Sequence, residues 1–215
     1  MISLSDLRRF KADGRKFSCL TCYDASMAKA MEIAEVDSIL IGDSLGMSIQ
    51  GRDSTLPVTV EDMAYHTAAV RRGNQHALIM TDLPFMSYAT LNDALQSART
   101  VMQAGAQMVK LEGGAWLAET VQVMTRNGIP VCVHLGLTPQ SVNVFGGYKL
   151  QARTREAADK LIADCKAVVE AGAAILLLEC VPAQLGQEIS ALFPEIPVIG
   201  IGAGADTDGQ VLVVQ

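Results

Sequence analysis

Five ionisable residues stand at the ends of successive apolar runs. They are Asp43, Asp82, Glu112, His134 and Glu179. A sixth, Lys110, lies two residues before Glu112, so on an extended strand both side chains leave the same face. Burying that many charges without partners is costly, so they are expected to converge on a ligand or on each other. Asp43, Asp82 and Glu112 form a hard-oxygen donor set, with Cys180 the only nearby sulfur. Such donors favour a hard divalent cation, and Mg²⁺ is the usual one where a substrate supplies further oxygens. A cation of that kind can hold the two oxygens of a 2-oxo acid and stabilise the enolate left by proton loss beside the ketone. Glu179 is the spare carboxylate and the candidate base. Lys110 can place positive charge near the enolate oxygen or the substrate carboxylate. Taken singly, each residue has a plainer role: an acid can cap the next helix, Lys110 can pair with Glu112, and His134 can be a satisfied core histidine. Five strand ends in a row argue for a shared mouth.

Those residues need strands to carry them. Near-continuous apolar runs predict strands over 17–23, 38–43, 76–82, 107–113, 130–134, 174–179 and 197–202, with an eighth over 210–215. Helical patterns fall between them, over 26–34, 60–72, 115–126 and 183–192. A short helix over 4–10, capped by Ser3, precedes the first strand. Thr59 with Asp62, and Thr90 with Asp93, read as helix starts; Gly73 and Gly105 read as stops. Another helix runs from Thr154 to Gly172. Long loops are predicted over 45–57 and 138–151, the second carrying Gly146-Gly147-Tyr148. Strict strand–helix alternation with fully apolar strands implies a parallel sheet covered by helices. So many units predict a (β/α)8 TIM barrel, one domain over 1–215, with the active site at the carboxyl ends of its strands. The eighth unit is a bare strand, and a barrel uncovered there would expose core. The C-terminal part is therefore expected to be missing from this chain.

Composition narrows the functional classes. The net charge is −6, and the basic pairs Arg8-Arg9, Arg15-Lys16 and Arg71-Arg72 are scattered, which argues against nucleic acid. Residues 1–14 are polar and amphipathic, unlike a signal peptide, and no apolar run approaches membrane-span length. A soluble, cytoplasmic protein with no membrane partner is expected. Five cysteines, an odd count, suit a reducing compartment. Cys19 and Cys22 have redox-motif spacing, but residues three apart on a strand face opposite sides, and no second pair completes a zinc site. Gly200-Ile-Gly-Ala-Gly204 looks like a dinucleotide loop, yet too little chain follows for the ribose-binding acid. It reads as a strand-end turn.

The sequence resembles the ketopantoate hydroxymethyltransferase (3-methyl-2-oxobutanoate hydroxymethyltransferase) family. The stretches that carry the likeness include Thr21-Cys-Tyr-Asp24, Ile41-Gly-Asp-Ser-Leu-Gly-Met47, Asp82-Leu-Pro-Phe85, Val109-Lys-Leu-Glu-Gly-Gly114, His134-Leu-Gly-Leu-Thr-Pro-Gln-Ser141, Phe145-Gly-Gly-Tyr-Lys149 and Leu178-Glu-Cys-Val-Pro182. The resemblance implies transfer of a hydroxymethyl group from 5,10-methylenetetrahydrofolate to 3-methyl-2-oxobutanoate, giving 2-dehydropantoate for pantothenate synthesis. It further implies Mg²⁺ on Asp43, Asp82 and Glu112. The oxo acid would contact Asp43, Ser44, Asp82 and Lys110, with Glu179 as proton acceptor and His134 in a supporting place. A homodecamer is implied as well. The folate contacts are left open, with the loops 45–57 and 138–151 as candidates. The alternative reading is a Mg²⁺-dependent 2-oxo acid lyase or mutase of the isocitrate lyase and phosphoenolpyruvate mutase type.

Overall fold

Runs of aliphatic residues without polar alternation can be buried only if both faces of a strand are covered. In the computed structural model, which describes residues 1–147 and 149–215, every such run is a parallel strand. The strands are β1 (Phe17–Thr21), β2 (Ser38–Ile41), β3 (Leu78–Asp82), β4 (Met108–Glu112), β5 (Val131–Gly136), β6 (Ile175–Glu179), β7 (Val198–Ile201) and β8 (Gly209–Leu212). They follow one another in sequence order as a closed barrel. All five residues of β3 and of β4 are buried, which the aliphatic composition of a (β/α)8 barrel requires. Tyr148, part of the 138–151 loop and of the Phe145–Lys149 motif, lies outside the described residues.

The helices are α1 (Leu4–Ala12), α2 (Ala25–Ile33), α3 (Leu45–Ser48), α4 (Val60–Gly73), α5 (Leu91–Gln103), α6 (Ala118–Arg126), α7 (Val142–Phe145), α8 (Arg155–Glu170) and α9 (Ala183–Leu192). Their starts follow the predicted chemistry. Thr59 and Asp62 exchange both hydrogen bonds of a capping box, and the hydroxyls of Thr90 and Thr154 accept the N–H groups of Asp93 and Ala157. Asp24 caps α2 by accepting from Met27.

Two compact units divide the chain. One holds residues 1–3, 18–111 and 212–215, and the other holds 4–17 and 112–211. In the first, α2 and α4 pack together where Gly73 lies against the Ala25 backbone, leaving no room for a Cβ. The Asn74 side chain seals that junction: it donates to Ala28 O and accepts from the N–H groups of His76 and Ala77. In the second, the buried ammonium of Lys11 donates to Ser190 O, Ile196 O and Asp208 Oδ2, tying α1 to α9 and to the entry of β8.

Several boundaries differ from the sequence expectation. The 45–57 loop opens with α3, because Leu45 is fully buried and Ser44 O accepts Ser48 N–H and its hydroxyl. The 138–151 loop contains a 3₁₀ turn, Pro139–Ser141, and then α7. β2 stops at Ile41, so Asp43 lies two residues beyond its strand. β5 runs on to Gly136, which places His134 inside the strand and not at its end. The reason is pairing: Leu135 and Gly136 stay in register with Leu178 and Glu179 of β6. β8 begins earlier and ends sooner than predicted, at Gly209–Leu212.

Candidate active site

In the first unit the site is built around the Asp82 carboxylate at the end of β3. The β3–β4 register sets Asp82 opposite Lys110. Lys110 Nζ lies 3.0 Å from Asp82 Oδ1, with both side chains only 3% exposed. Lys110 thus faces Asp82 across the strand pair. Asp82 Oδ2 accepts the Asp43 N–H at 3.0 Å. Gly42 leaves room for the Ser44 side chain, since a Cβ there would stand 2.9 Å from Ser44 Oγ. Asp43 itself is buried. The Ser44 hydroxyl shares a 2.7 Å hydrogen bond with the phenol of Tyr23, whose ionisation burial pushes up despite the Ser44 contact. Tyr23 therefore stays a neutral partner that fixes the Ser44 rotamer. Sequence reasoning passed over it, although it sits in the Thr21–Asp24 stretch that carries the family likeness.

In the second unit Glu112, His134 and Glu179 form a chain of contacts. His134 Nδ1 is 3.3 Å from Glu112 Oε1, and His134 Nε2 is 3.2 Å from Glu179 Oε2. The register explains it. His134 pairs with Leu177, and Glu179 is the next residue on that same face of β6. Glu112 is further fixed by Gln140, whose N–H donates to Oε2 at 2.9 Å. The Leu137 N–H donates to Glu179 O at 2.9 Å across Gly136, where φ is +89° and a Cβ would collide with that carbonyl oxygen. Only glycine lets the strands stay this close. A neutral imidazole carries one N–H and one acceptor nitrogen. The two ring nitrogens of His134 face two different carboxylates, one at the end of β4 and one at the end of β6. Cys180 does not compete as a nucleophile, since burial and then the Glu179 charge push its thiol up.

Among the described residues, no group of three or more His, Cys, Asp or Glu side chains stands at metal-binding spacing. The donor chemistry nevertheless suits a hard cation, because Asp43, Asp82 and Glu112 are buried carboxylates. A carboxylate offers about four lone-pair positions, so one already facing an N–H and an ammonium is compatible with a metal ion. Five cysteines are free; burial raises Cys19 to about 11 and also raises Cys22, so that pair is no reactive redox motif. No helix among the described residues is long and apolar enough to cross a membrane.

Comparison with known proteins identifies the family. The family model described as ketopantoate hydroxymethyltransferase matches residues 1–215. The 3-methyl-2-oxobutanoate hydroxymethyltransferase of Acinetobacter baumannii strain AYE is 89% identical over 100% of this chain and 80% of its own length. That of Acinetobacter baylyi is 84% identical over the same shares, and that of a Psychrobacter species is 65% identical over 100% and 79%. Solved structures with a like fold include a putative phosphonomutase of Burkholderia cenocepacia, with TM-score 0.74, 15% identity and coverage of 98% and 92%. A 2,3-dimethylmalate lyase of the phosphoenolpyruvate mutase/isocitrate lyase superfamily has TM-score 0.69, 14% identity and coverage of 99% and 81%. At such identity the last two show the fold alone.

Proposed function

Because this chain belongs to the ketopantoate hydroxymethyltransferase family, we propose that Glu179 removes the C3 proton of 3-methyl-2-oxobutanoate. The enolate then takes its one-carbon unit from 5,10-methylenetetrahydrofolate. One observation carries the choice of base. Glu179 retains 18% side-chain exposure, whereas Asp82 and Glu112 retain 3% each. Of the three carboxylates, Glu179 is the one most open to an incoming substrate carbon.

The balance is simple. The C3–H bond breaks, its proton goes to Glu179, and the electron pair moves into the enolate. C3 then bonds to the methylene carbon, the carbon–nitrogen bonds to folate break, and one water supplies the new hydroxyl. The products are 2-dehydropantoate and tetrahydrofolate, the first of them feeding pantothenate synthesis. His134 stands beside the Glu179 carboxylate in a supporting place, its Nε2 3.2 Å away. Asp43, Ser44, Asp82 and Lys110 are the proposed contacts of the oxo acid, with Tyr23 fixing Ser44. Asp43, Asp82 and Glu112 are the proposed holders of Mg²⁺, which when bound would supply Lewis-acid polarisation of the ketone. A homodecamer follows the family resemblance, and sedimentation of the purified chain tests it. Five free cysteines fit a reducing cytoplasm.

The decisive measurement is deuterium incorporation at C3 in D₂O, followed by NMR. Glu179→Gln should slow it by about 10²–10⁴-fold, the usual worth of a positioned base, while the oxo acid still binds. Undiminished exchange would move the base elsewhere. Product formation only when methylenetetrahydrofolate is present separates this activity from a lyase or mutase.

A further inference from the structure

The second unit contains a cavity of about 240 Å³ beside Glu112, lined among others by Trp116, Ser141, Phe145, Leu161 and Asp164. Its floor is the doubled glycine after β4. A Cβ on Gly113 would stand 2.5 Å from the Trp116 indole, and one on Gly114 would stand 2.8 Å from the Asp164 carboxyl carbon. The two glycines thus let an indole and a carboxylate press against one stretch of backbone. Asp164 Oδ1 accepts the Ala115 N–H at 3.1 Å, which fixes the carboxylate, and the side chain is only 16% exposed. Its other oxygen meets Lys160, whose side chain is 75% exposed; such a pair is weak and readily exchanged. Trp116, 67% exposed, stands at the cavity with its indole accessible for stacking.

We propose that this cavity is the subsite for the pterin ring of the folate co-substrate, an inference that rests on the folate-dependent reading above. The chemistry matches in three ways. The aminopyrimidinone edge of a pterin carries adjacent N–H donors that fit the two oxygens of one carboxylate, as a guanidinium does. Its flat bicycle suits stacking on Trp116 or Phe145. The space is smaller than the ~300–1,000 Å³ of pockets that enclose a whole ligand, so it takes the ring and leaves the remainder of the folate outside. The position beside Glu112 would bring the one-carbon unit, which the reduced ring carries, to the proposed metal-binding carboxylate.

Trp116 is the only tryptophan in the chain, so it reports on its own cavity. Titration of the whole protein with tetrahydrofolate, at fixed 3-methyl-2-oxobutanoate and Mg²⁺, should quench its fluorescence with saturation. Asp164→Asn should raise the tetrahydrofolate Kd at least tenfold, and should raise the folate KM far more than the oxo-acid KM. Phe145→Leu should weaken tetrahydrofolate in the same sense, so the proposal does not hang on one variant folding. Asp159→Asn, an exposed acid on the same helix, should leave the Kd unchanged, with circular dichroism confirming the fold of each variant. Wild-type quenching with an unchanged Kd in both Asp164→Asn and Phe145→Leu would overturn the subsite and leave the folate reading intact. A wild-type protein that makes product without any folate would instead sink the folate reading, and the subsite with it.

Discussion

The Lys110–Asp82 contact joins a question of stability to the proposed oxo-acid site. Two charges at 3% exposure have lost most of their hydration, and their attraction must offset that loss. Removing one partner leaves the other in a buried site. Lys110→Met is therefore expected to cost about 3–5 kcal/mol, read from the urea midpoint. Pairing it with Asp82→Leu should recover much of that stability without recovering oxo-acid binding, because the pair's place in the site is chemical. Asp43→Asn tests the metal assignment from another side. It keeps the backbone N–H that Asp82 accepts but removes a proposed ligand charge, so Mg²⁺-dependent exchange should be abolished. Full activity in that variant would move the ion elsewhere.

At the scale of the element, caps and strand-end glycines do the positioning. The α4 capping box should be worth about 1 kcal/mol, lost in Thr59→Ala. Asp62 links it to pH. Partial burial pushes its carboxyl up, but hydrogen bonds from Thr59 and Gln50, together with nearby Arg52, outweigh that and hold it below its ordinary value. A depressed carboxyl stabilises the fold above its unfolded pKa, about 3.9 for Asp, and the contribution fades as pH falls through the lower folded value. The stability gap between wild type and Asp62→Asn should accordingly be present at neutral pH and close in acid. Gly136 and Gly128 separate strain from collision. Both have positive φ, +89° and +80°, but only at Gly136 would a Cβ meet protein, namely the Glu179 carbonyl. Gly128→Ala should cost about 1–3 kcal/mol of backbone strain alone. Gly136→Ala should cost more in thermal denaturation and also slow deuterium exchange, since it displaces the end of β6. Equal losses in the two variants would show that the close approach of β5 to β6 is unimportant.

For the whole molecule, ligand linkage gives a measurement that does not depend on turnover. A cation that binds only the folded chain stabilises it by about 2.7 kcal/mol at 100 times its Kd. Mg²⁺ should raise the thermal midpoint and EDTA should return it to baseline, with the rise lost in Asp43→Asn. An unchanged midpoint in wild type would count against a resident ion. The strand order, the Thr59 and Thr90 helix caps and the acids that end β3, β4 and β6 were legible in the sequence, because each is written locally: an aliphatic run, a Thr followed three residues later by Asp, an acid after the last apolar residue. The two short helices α3 and α7 were hidden, since four residues give no period to read. The end of β5 was misplaced by two residues, because Leu135 and Gly136 owe their extended state to Leu178 and Glu179 across the sheet.

The sequence by itself determined the fold class and the family, because aliphatic runs, helix caps and the family's motifs are each written in short local stretches. What it left undecided was partnership. Lys110 faces Asp82, His134 stands between Glu112 and Glu179, and Asp164 comes from α8 to the glycines after β4. Each of those meetings depends on strand register or helix docking between segments far apart in the chain. No local pattern encodes that distance, so only the tertiary structure could decide it.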